Sequence, residues 1–350
     1  MYPMKQHPIV FALWAIVIAA AAACLPGCLA MDLIPAGGPP GKPPAGVTAV
    51  RFDSTDGVVL TGWLHKADSG KFDREMTRLG RTGVHLPEGG LVVFCHGVYD
   101  SANSNMCEFL IEAGVAVLSF DYRGFGDSTL VEKTNLGFAD DALAALHFAR
   151  SLPGINPKRV VLYGHSLGGI YAMAAASKAW EAGDPVRGVA TGGTFSNWRS
   201  VSNHLLPVLG LLLGGVWGPE PTFWAARLGY TPLLIVHASN DKQVPPFHAA
   251  ALAEAARNGK TPVQVFMAAG GGHVSGYLPE LLDLSTFEIT HSFEEAAAEA
   301  NAAVGAGTGG NAGFADGLAG GPGGVRGAER AADHLLIWLV RRMDNGRAKP

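Results

Sequence analysis

Charge is scarce in this chain. Charged residues fill 16% of its 350 positions, and 26 Lys and Arg against 30 Asp and Glu leave a net charge of −4. That balance supplies no surface to neutralise a phosphate backbone, so nucleic acid is excluded as an expected partner. Cysteine is scarce too. The four residues stand at positions 24, 28, 95 and 107, and no Cys/His spacing reads as a zinc site. The apolar stretch Leu205 to Trp217 has only 13 residues, too few to cross a bilayer. Gly and Pro are plentiful instead, at 47 and 22 residues. Together they are about a fifth of the chain, above ordinary usage but short of a wholly disordered composition.

Much of that excess is local. Pro35 to Gly46 reads PAGGPPGKPPAG, nine Gly or Pro in twelve residues. Such a stretch cannot build a core and acts as an extended spacer. Asn301 to Arg330 holds another 11 Gly and reads as a tolerated surface insertion.

The N-terminus carries an export pattern. Ile9 to Leu25 is a run of 17 apolar residues behind Lys5 and the amino terminus. Small residues come next, the layout of a signal segment. Leu25-Pro26-Gly27-Cys28 resembles a bacterial lipobox, which implies cleavage before Cys28 and lipid on its sulfur. An uncleaved membrane anchor and a simple cleaved signal are the alternatives. All three put the domain outside the cytoplasm, and the first two leave it membrane-attached. Cys95 and Cys107 would remain, and an oxidising compartment permits a disulfide between them.

From about Val47 the pattern changes. Val50-Arg51-Phe52 and Val58 to Leu64 read as strands joined at Asp56-Gly57, a hairpin signal. Residues 70–90 are charged and Gly-bearing and read as a long connection. Short apolar runs then alternate with helical patterns. Strands are expected at Leu91–Phe94, Val115–Phe120, Arg159–Tyr163, Val186–Thr191, Pro232–His237 and Pro262–Phe266. Helices are expected over Ser101–Ala113, around Phe138–Ala149, over Gly168–Trp180 and over Ala328–Met343. Unbroken apolar strands alternating with helices predict an open, mostly parallel α/β sheet covered on both faces. Ligands bind at the carboxyl ends of such strands.

Chemistry-bearing residues fall at those ends. After the strand Arg159–Tyr163 comes Gly164-His165-Ser166-Leu167-Gly168-Gly169, then a helix. This is G-x-S-x-G between strand and helix, a sharp turn that exposes a serine. Ser166 is the expected nucleophile. The triad order for this turn is Ser, acid, His. Asp241 follows the strand Pro232–His237 in HASNDKQVP. His273 follows the strand Pro262–Phe266 in AAGGGHVSG, where three glycines let the loop bend back. The other histidines beyond Asp241 are His248, His291 and His334, and none sits on a loop just past a core strand. The oxyanion donors expected are the amides of Leu167 and of Val98, with Tyr99 the runner-up. His165 is expected to pack or bond locally, and His96 to be structural.

In order, FDSTDGVVLTGWL, VVFCHG, SFDYRGFGDS, YGHSLGG, LLIVHASNDKQVP and GGGH resemble the α/β-hydrolase superfamily, in its serine esterase, lipase and peptidase-like branch. The resemblance covers about Val50 to His273. It implies an α/β-hydrolase fold with a central sheet of about eight strands and a small cap. It also implies a hydrolase that cleaves esters of apolar acyl groups through an acyl-enzyme. Its partners would be a small-molecule or lipid ester and the membrane, with no cofactor and no metal. An exopeptidase, amidase or thioesterase on the same triad is the alternative, and a non-catalytic binding protein a remoter one. Asp121 and Arg123 look structural in this branch. The organisation expected is a signal peptide over 1–27, a Gly/Pro-rich linker over 28–49 and a hydrolase domain over 50–345. The cap falls at about 196–230 and the low-complexity insertion at about 301–327. Trp198, Trp217, Phe223 and Trp224 are expected to line an apolar pocket under the cap.

Overall fold

A computed structural model describes residues 36–39, 41–205, 218–268, 270–274 and 331–344. The signal segment, Cys28, the Leu25–Cys28 motif, Trp217 and the 301–327 insertion lie outside the described residues. No helix among the described residues is long and apolar enough to cross a membrane.

The chain begins with the expected hairpin, β1 (Thr48–Asp53) and β2 (Val59–His65). Asp56 and Gly57 both take positive φ, +60° and +72°. Two such residues in succession are what a tight hairpin turn demands. The strands then run β3 (Leu91–Cys95), β4 (Val117–Asp121), β5 (Val160–His165), β6 (Val189–Gly192), β7 (Leu233–Ala238) and β8 (Val263–Ala268). They form one sheet in the order β1-β2-β4-β3-β5-β6-β7-β8. β1 and β2 pair antiparallel, as do β2 and β4; every other pairing is parallel.

The central strands are buried on both faces, so alternate residues serve two layers. On one side Leu91, Val93, Leu162, Leu233 and Ile235 meet α3 (Asn135–Ser151), α4 (Leu167–Glu181) and α7 (Phe247–Asn258). On the other, Val92, Phe94, Val161, Tyr163, Leu234 and Val236 meet α1 (Ser69–Arg78), α2 (Glu108–Glu112) and α8 (Ala331–Met343). Removing one large side chain from either layer costs about 3–5 kcal/mol.

Two secondary-structure expectations need correction. The stretch 70–90 is not wholly a connection, because α1 occupies its first half. Asp68 caps it by accepting the Lys71 N–H at 2.9 Å, and the helix buries only Phe72 and Met76. An apolar pair four residues apart is too sparse to stand out among charges, yet it suffices for one helix face. The helix expected over Ser101–Ala113 is shorter. Residues Asn105–Cys107 form one 3-10 turn before α2. Polar side chains claim the backbone upstream: Ser104 Oγ accepts from Met106 N at 3.1 Å and Asp121 Oδ1 from Ala102 N at 2.7 Å. Such bonds compete with helix.

The region expected to form a cap is described only at its flanks, α5 (Trp198–Leu205) and α6 (Pro221–Ala225). Trp198 and Trp224 are buried in the core with Phe195 and Leu228. They pack the body of the domain and do not line an open pocket. Phe223 is partly exposed, with the Arg227 guanidinium 3.6 Å over its ring. Cys95 and Cys107 are free, buried thiols. Burial pushes the Cys95 thiol up to about 12 and raises that of Cys107 as well.

Candidate active site

Sharp geometry places Ser166. It follows β5 and precedes α4 with φ 54° and ψ −121°, a left-handed conformation that a side chain rarely adopts without compensation. Neighbouring bonds hold it there. Its N–H donates to the Gly192 carbonyl at 2.7 Å, and Thr194 Oγ donates to its carbonyl at 3.0 Å. The flanking glycines are needed for room. A Cβ on Gly164 would collide with the Gly168 carbonyl, and one on Gly168 with the carbonyls of Cys95 and His96. The turn thus lies against the loop after β3.

Asp241 follows β7 and is buried. Its Oδ1 accepts the N–H groups of Gln243 and Val244 at 3.0 and 2.9 Å. Burial would raise its pKa, but the His273 hydrogen bond and charge and the Val244 amide outweigh it and hold it below the ordinary value. His273 follows β8 on a loop whose bend comes from Gly270 and Gly271, at φ +70° and +68°. The ring stands between the other two residues. Nδ1 is 2.8 Å from Asp241 Oδ2, and Nε2 is 2.9 Å from Ser166 Oγ. Three side chains from three strand ends therefore meet in one hydrogen-bonded line.

The expected oxyanion donors adjoin that line. Leu167 opens α4, where first-turn N–H groups have no partner within the helix, and the helix dipole favours negative charge. Val98 follows Gly97 on the β3 loop. That loop runs beside the nucleophile, since a Cβ on Gly97 would lie 3.4 Å from Ser166 Cβ. Tyr99 takes φ +57° and is largely exposed.

The remaining residues frame the site. His96 is buried against Tyr122 and Phe125, with Nδ1 2.7 Å from the Gly97 carbonyl. Arg123 and Asp141 form a buried ion pair at 2.7 Å that also ties Ser54 and Thr55. Asp121 joins Ala102 and Thr61. Both arginine and carboxylate thus stitch loops together, as the sequence led us to expect.

Sequence reasoning passed over Ser239 and His237, and it led to local bonding for His165, which instead bonds across 108 residues. His165 Nε2 lies 2.9 Å from the His273 carbonyl. Ser239 Oγ accepts the Gly270 N–H at 2.8 Å. His237 lies buried beside Asp241, 3.8 Å from its Oδ2, and bonds the Val244 carbonyl at 2.7 Å. Burial lowers the His237 pKa. The only signal for any of them was proximity in sequence: His165 directly precedes Ser166, and His237 and Ser239 lie within four residues of Asp241.

Comparison with known proteins agrees with this architecture. Residues 92–229 match the Alpha/beta hydrolase family, and residues 220–281 match the Prolyl oligopeptidase family. The first match holds Ser166 and the second holds Asp241 and His273. Uncharacterized protein YfhR of Escherichia coli O157:H7 is 28% identical over 237 residues, 68% of this chain and 77% of that protein. Human Protein ABHD12B is 33% identical over 184 residues, 48% of this chain and 50% of that protein. Among solved structures, the Pyrococcus furiosus esterase Pf2001 superposes with a TM-score of 0.53 at 17% identity, covering 68% of this chain and 90% of that one. The chain has the α/β-hydrolase fold.

Proposed function

We propose that this α/β-hydrolase-fold protein is a serine hydrolase that cleaves carboxylic esters of apolar acyl groups. The observation that carries the reading is the line Asp241–His273–Ser166, joined at 2.8 and 2.9 Å with the serine on a strained turn. Ser166 Oγ attacks the ester carbonyl carbon while His273 Nε2 takes its proton. The carbonyl oxygen becomes an oxyanion facing the Val98 and Leu167 amides. Asp241 stabilises the imidazolium, which then protonates the leaving alcohol as the C–O bond breaks. Water, deprotonated by the same ring, releases the acid from the acyl-enzyme. Exposed apolar residues neighbour the site in sequence, with Val98 and Tyr99 following Gly97 and Val274 following His273. They favour an acyl chain over a charged substrate.

A second reading is cleavage of amides or peptides. The match of residues 220–281 to the Prolyl oligopeptidase family favours it, because that segment contains the acid and the base. A chain-length series of aryl esters set against aminoacyl aryl amides and thioesters separates the readings. Esters should turn over fastest and Ser166→Ala should abolish turnover. Faster turnover of an aminoacyl amide would transfer the assignment to peptidases, and undiminished activity in Ser166→Ala would sink both. We further propose that lipid on Cys28 tethers the enzyme to a membrane outside the cytoplasm. Cys28→Ala should then release it from the membrane fraction, and unchanged fractionation would favour an uncleaved anchor.

A further inference from the structure

The loop that carries the base has little stiffness of its own. Gly270, Gly271 and Gly272 precede His273, and consecutive glycines impose almost no backbone preference. A ring that must hold hydrogen-bond distance to Ser166 Oγ, to within about half an ångström, therefore depends on anchors from elsewhere. Side chains at the ends of other strands supply them. Ser239 holds Gly270 N–H, at the bend, and Asp241 holds the ring at Nδ1. A further anchor reaches the main chain of the base itself. His165 Nε2 stands 2.9 Å from the His273 carbonyl, and the two rings lie 5.1 Å apart.

A carbonyl oxygen only accepts, so His165 must carry its proton on Nε2. Burial, with the neighbouring His273 charge second, pushes the His165 pKa down to about 3, so the side chain is a neutral donor at any working pH. It is the last residue of β5. Its bond therefore ties the strand that ends at the nucleophile directly to the loop that presents the base.

We propose that His165 is a positioning residue whose Nε2–H clamps the His273 carbonyl and so fixes the imidazole between Asp241 and Ser166. The inference rests on the serine-hydrolase reading. Without the clamp, the backbone at His273 can pivot about the glycines while the ring stays tethered only to Asp241. Misplacement of a catalytic group by about 1 Å can cost on the order of 10²-fold in rate. The chemistry itself is untouched, because His165 meets neither the substrate nor the transferred proton.

The test separates reach from polarity. His165→Gln places an amide N–H near the position of Nε2. His165→Asn offers the same amide but stops near Nδ1, and His165→Met has the length without the donor. Hydrolysis of a p-nitrophenyl ester is measured for the full chain and each variant, with Tm recorded in parallel. We expect the Gln variant to keep kcat within about threefold, and the Asn and Met variants to lose about 10- to 100-fold in kcat with KM little changed. Should one of the latter not fold, the other supplies the comparison with Gln. Equal activity in the three variants, whether high or low, would overturn the clamp. Full activity in Ser166→Ala would instead overturn the serine-hydrolase reading, a separable result.

Discussion

Replacing Asp241 by Asn probes the relay without removing any atom from its frame. The two carboxylate oxygens have different duties. Oδ1 is fixed by two backbone donors, Gln243 N–H and Val244 N–H, and Oδ2 receives the ring N–H of His273. In the Asn variant the amide oxygen must stay with the backbone donors, because an NH₂ group there would face two N–H groups. The NH₂ therefore turns toward His273 Nδ1. Nδ1 must then accept, which moves the ring proton to Nε2, the atom that faces Ser166 Oγ at 2.9 Å. An imidazole protonated there cannot take the serine proton. In serine proteases the corresponding tautomer error lowers kcat by about 10⁴, equivalent to roughly 5 kcal/mol of transition-state stabilisation. We expect a loss of that order in kcat for aryl ester hydrolysis, with KM and Tm little changed. The rate of the acyl-enzyme burst, with substrate in excess, is the direct assay, because it isolates the attack step. A variant that keeps more than a tenth of the wild-type burst rate would refute the idea that the backbone donors dictate the amide orientation.

Other perturbations test other parts of the structure. Ser166→Gly and Ser166→Ala both delete the nucleophile, but only Gly relaxes at φ 54°; the Gly variant should be the more stable of the two by about 1 kcal/mol in urea unfolding, and the reverse order would mean the turn is unstrained. Asp141→Ala leaves the nearly buried Arg123 guanidinium without its carboxylate; a cost of about 3–5 kcal/mol should lower Tm by roughly 10 °C, and a shift under about 2 °C would show that water reaches Arg123. The third concerns acid stability. His165 is neutral when folded, with a pKa of about 3 against an ordinary 6.5, so between those values the unfolded chain binds the extra proton and stability falls as pH falls. The slope from this one group is about 1.4 kcal/mol per pH unit. His165→Gln removes it, so urea-derived stability between pH 6 and 4.5 should vary less steeply than in the wild type, and parallel curves would refute the lowered pKa.

The range of an interaction decides whether the sequence reveals it or hides it. The buried strands were legible because a strand covered on both faces needs an unbroken apolar run, and Leu91–Cys95, Val160–His165 and Leu233–Ala238 supply one each. Ser166 was legible because its turn needs glycine at fixed offsets, and Asp241 and His273 because each falls just past such a strand. The helix α1 was hidden because its apolar face is a single pair, Phe72 and Met76. The burial of Trp198 and Trp224 was hidden because nothing local distinguishes an aromatic that lines a pocket from one that packs a core. His165 was hidden for a different reason. Its role depends on a bond spanning 108 residues of sequence, to a carbonyl that every residue possesses. The identity of His165 does not tell which distant carbonyl it will meet.

That kind of bond explains how the base tolerates a long segment downstream of it. The closing helix α8 packs in the layer with Phe94, Val161, Tyr163, Leu234 and Val236. Its contacts with β8 include Trp338 Nε1–H to Gln264 Oε1 at 2.9 Å and the His334 ring stacked on Phe266 at 4.4 Å. His273 lies past the C-terminal end of that strand. Among the described residues, groups that fix it include Asp241, Ser239 and His165, all earlier in the chain and all on the ends of strands in the sheet. Lengthening an ordinary connection by about three doublings adds only about 2 kcal/mol of closure entropy. That cost falls on the docking of α8, far from Ser166. A site whose base is clamped from upstream can therefore carry a long downstream insertion, whereas one whose base was held in place by α8 could not.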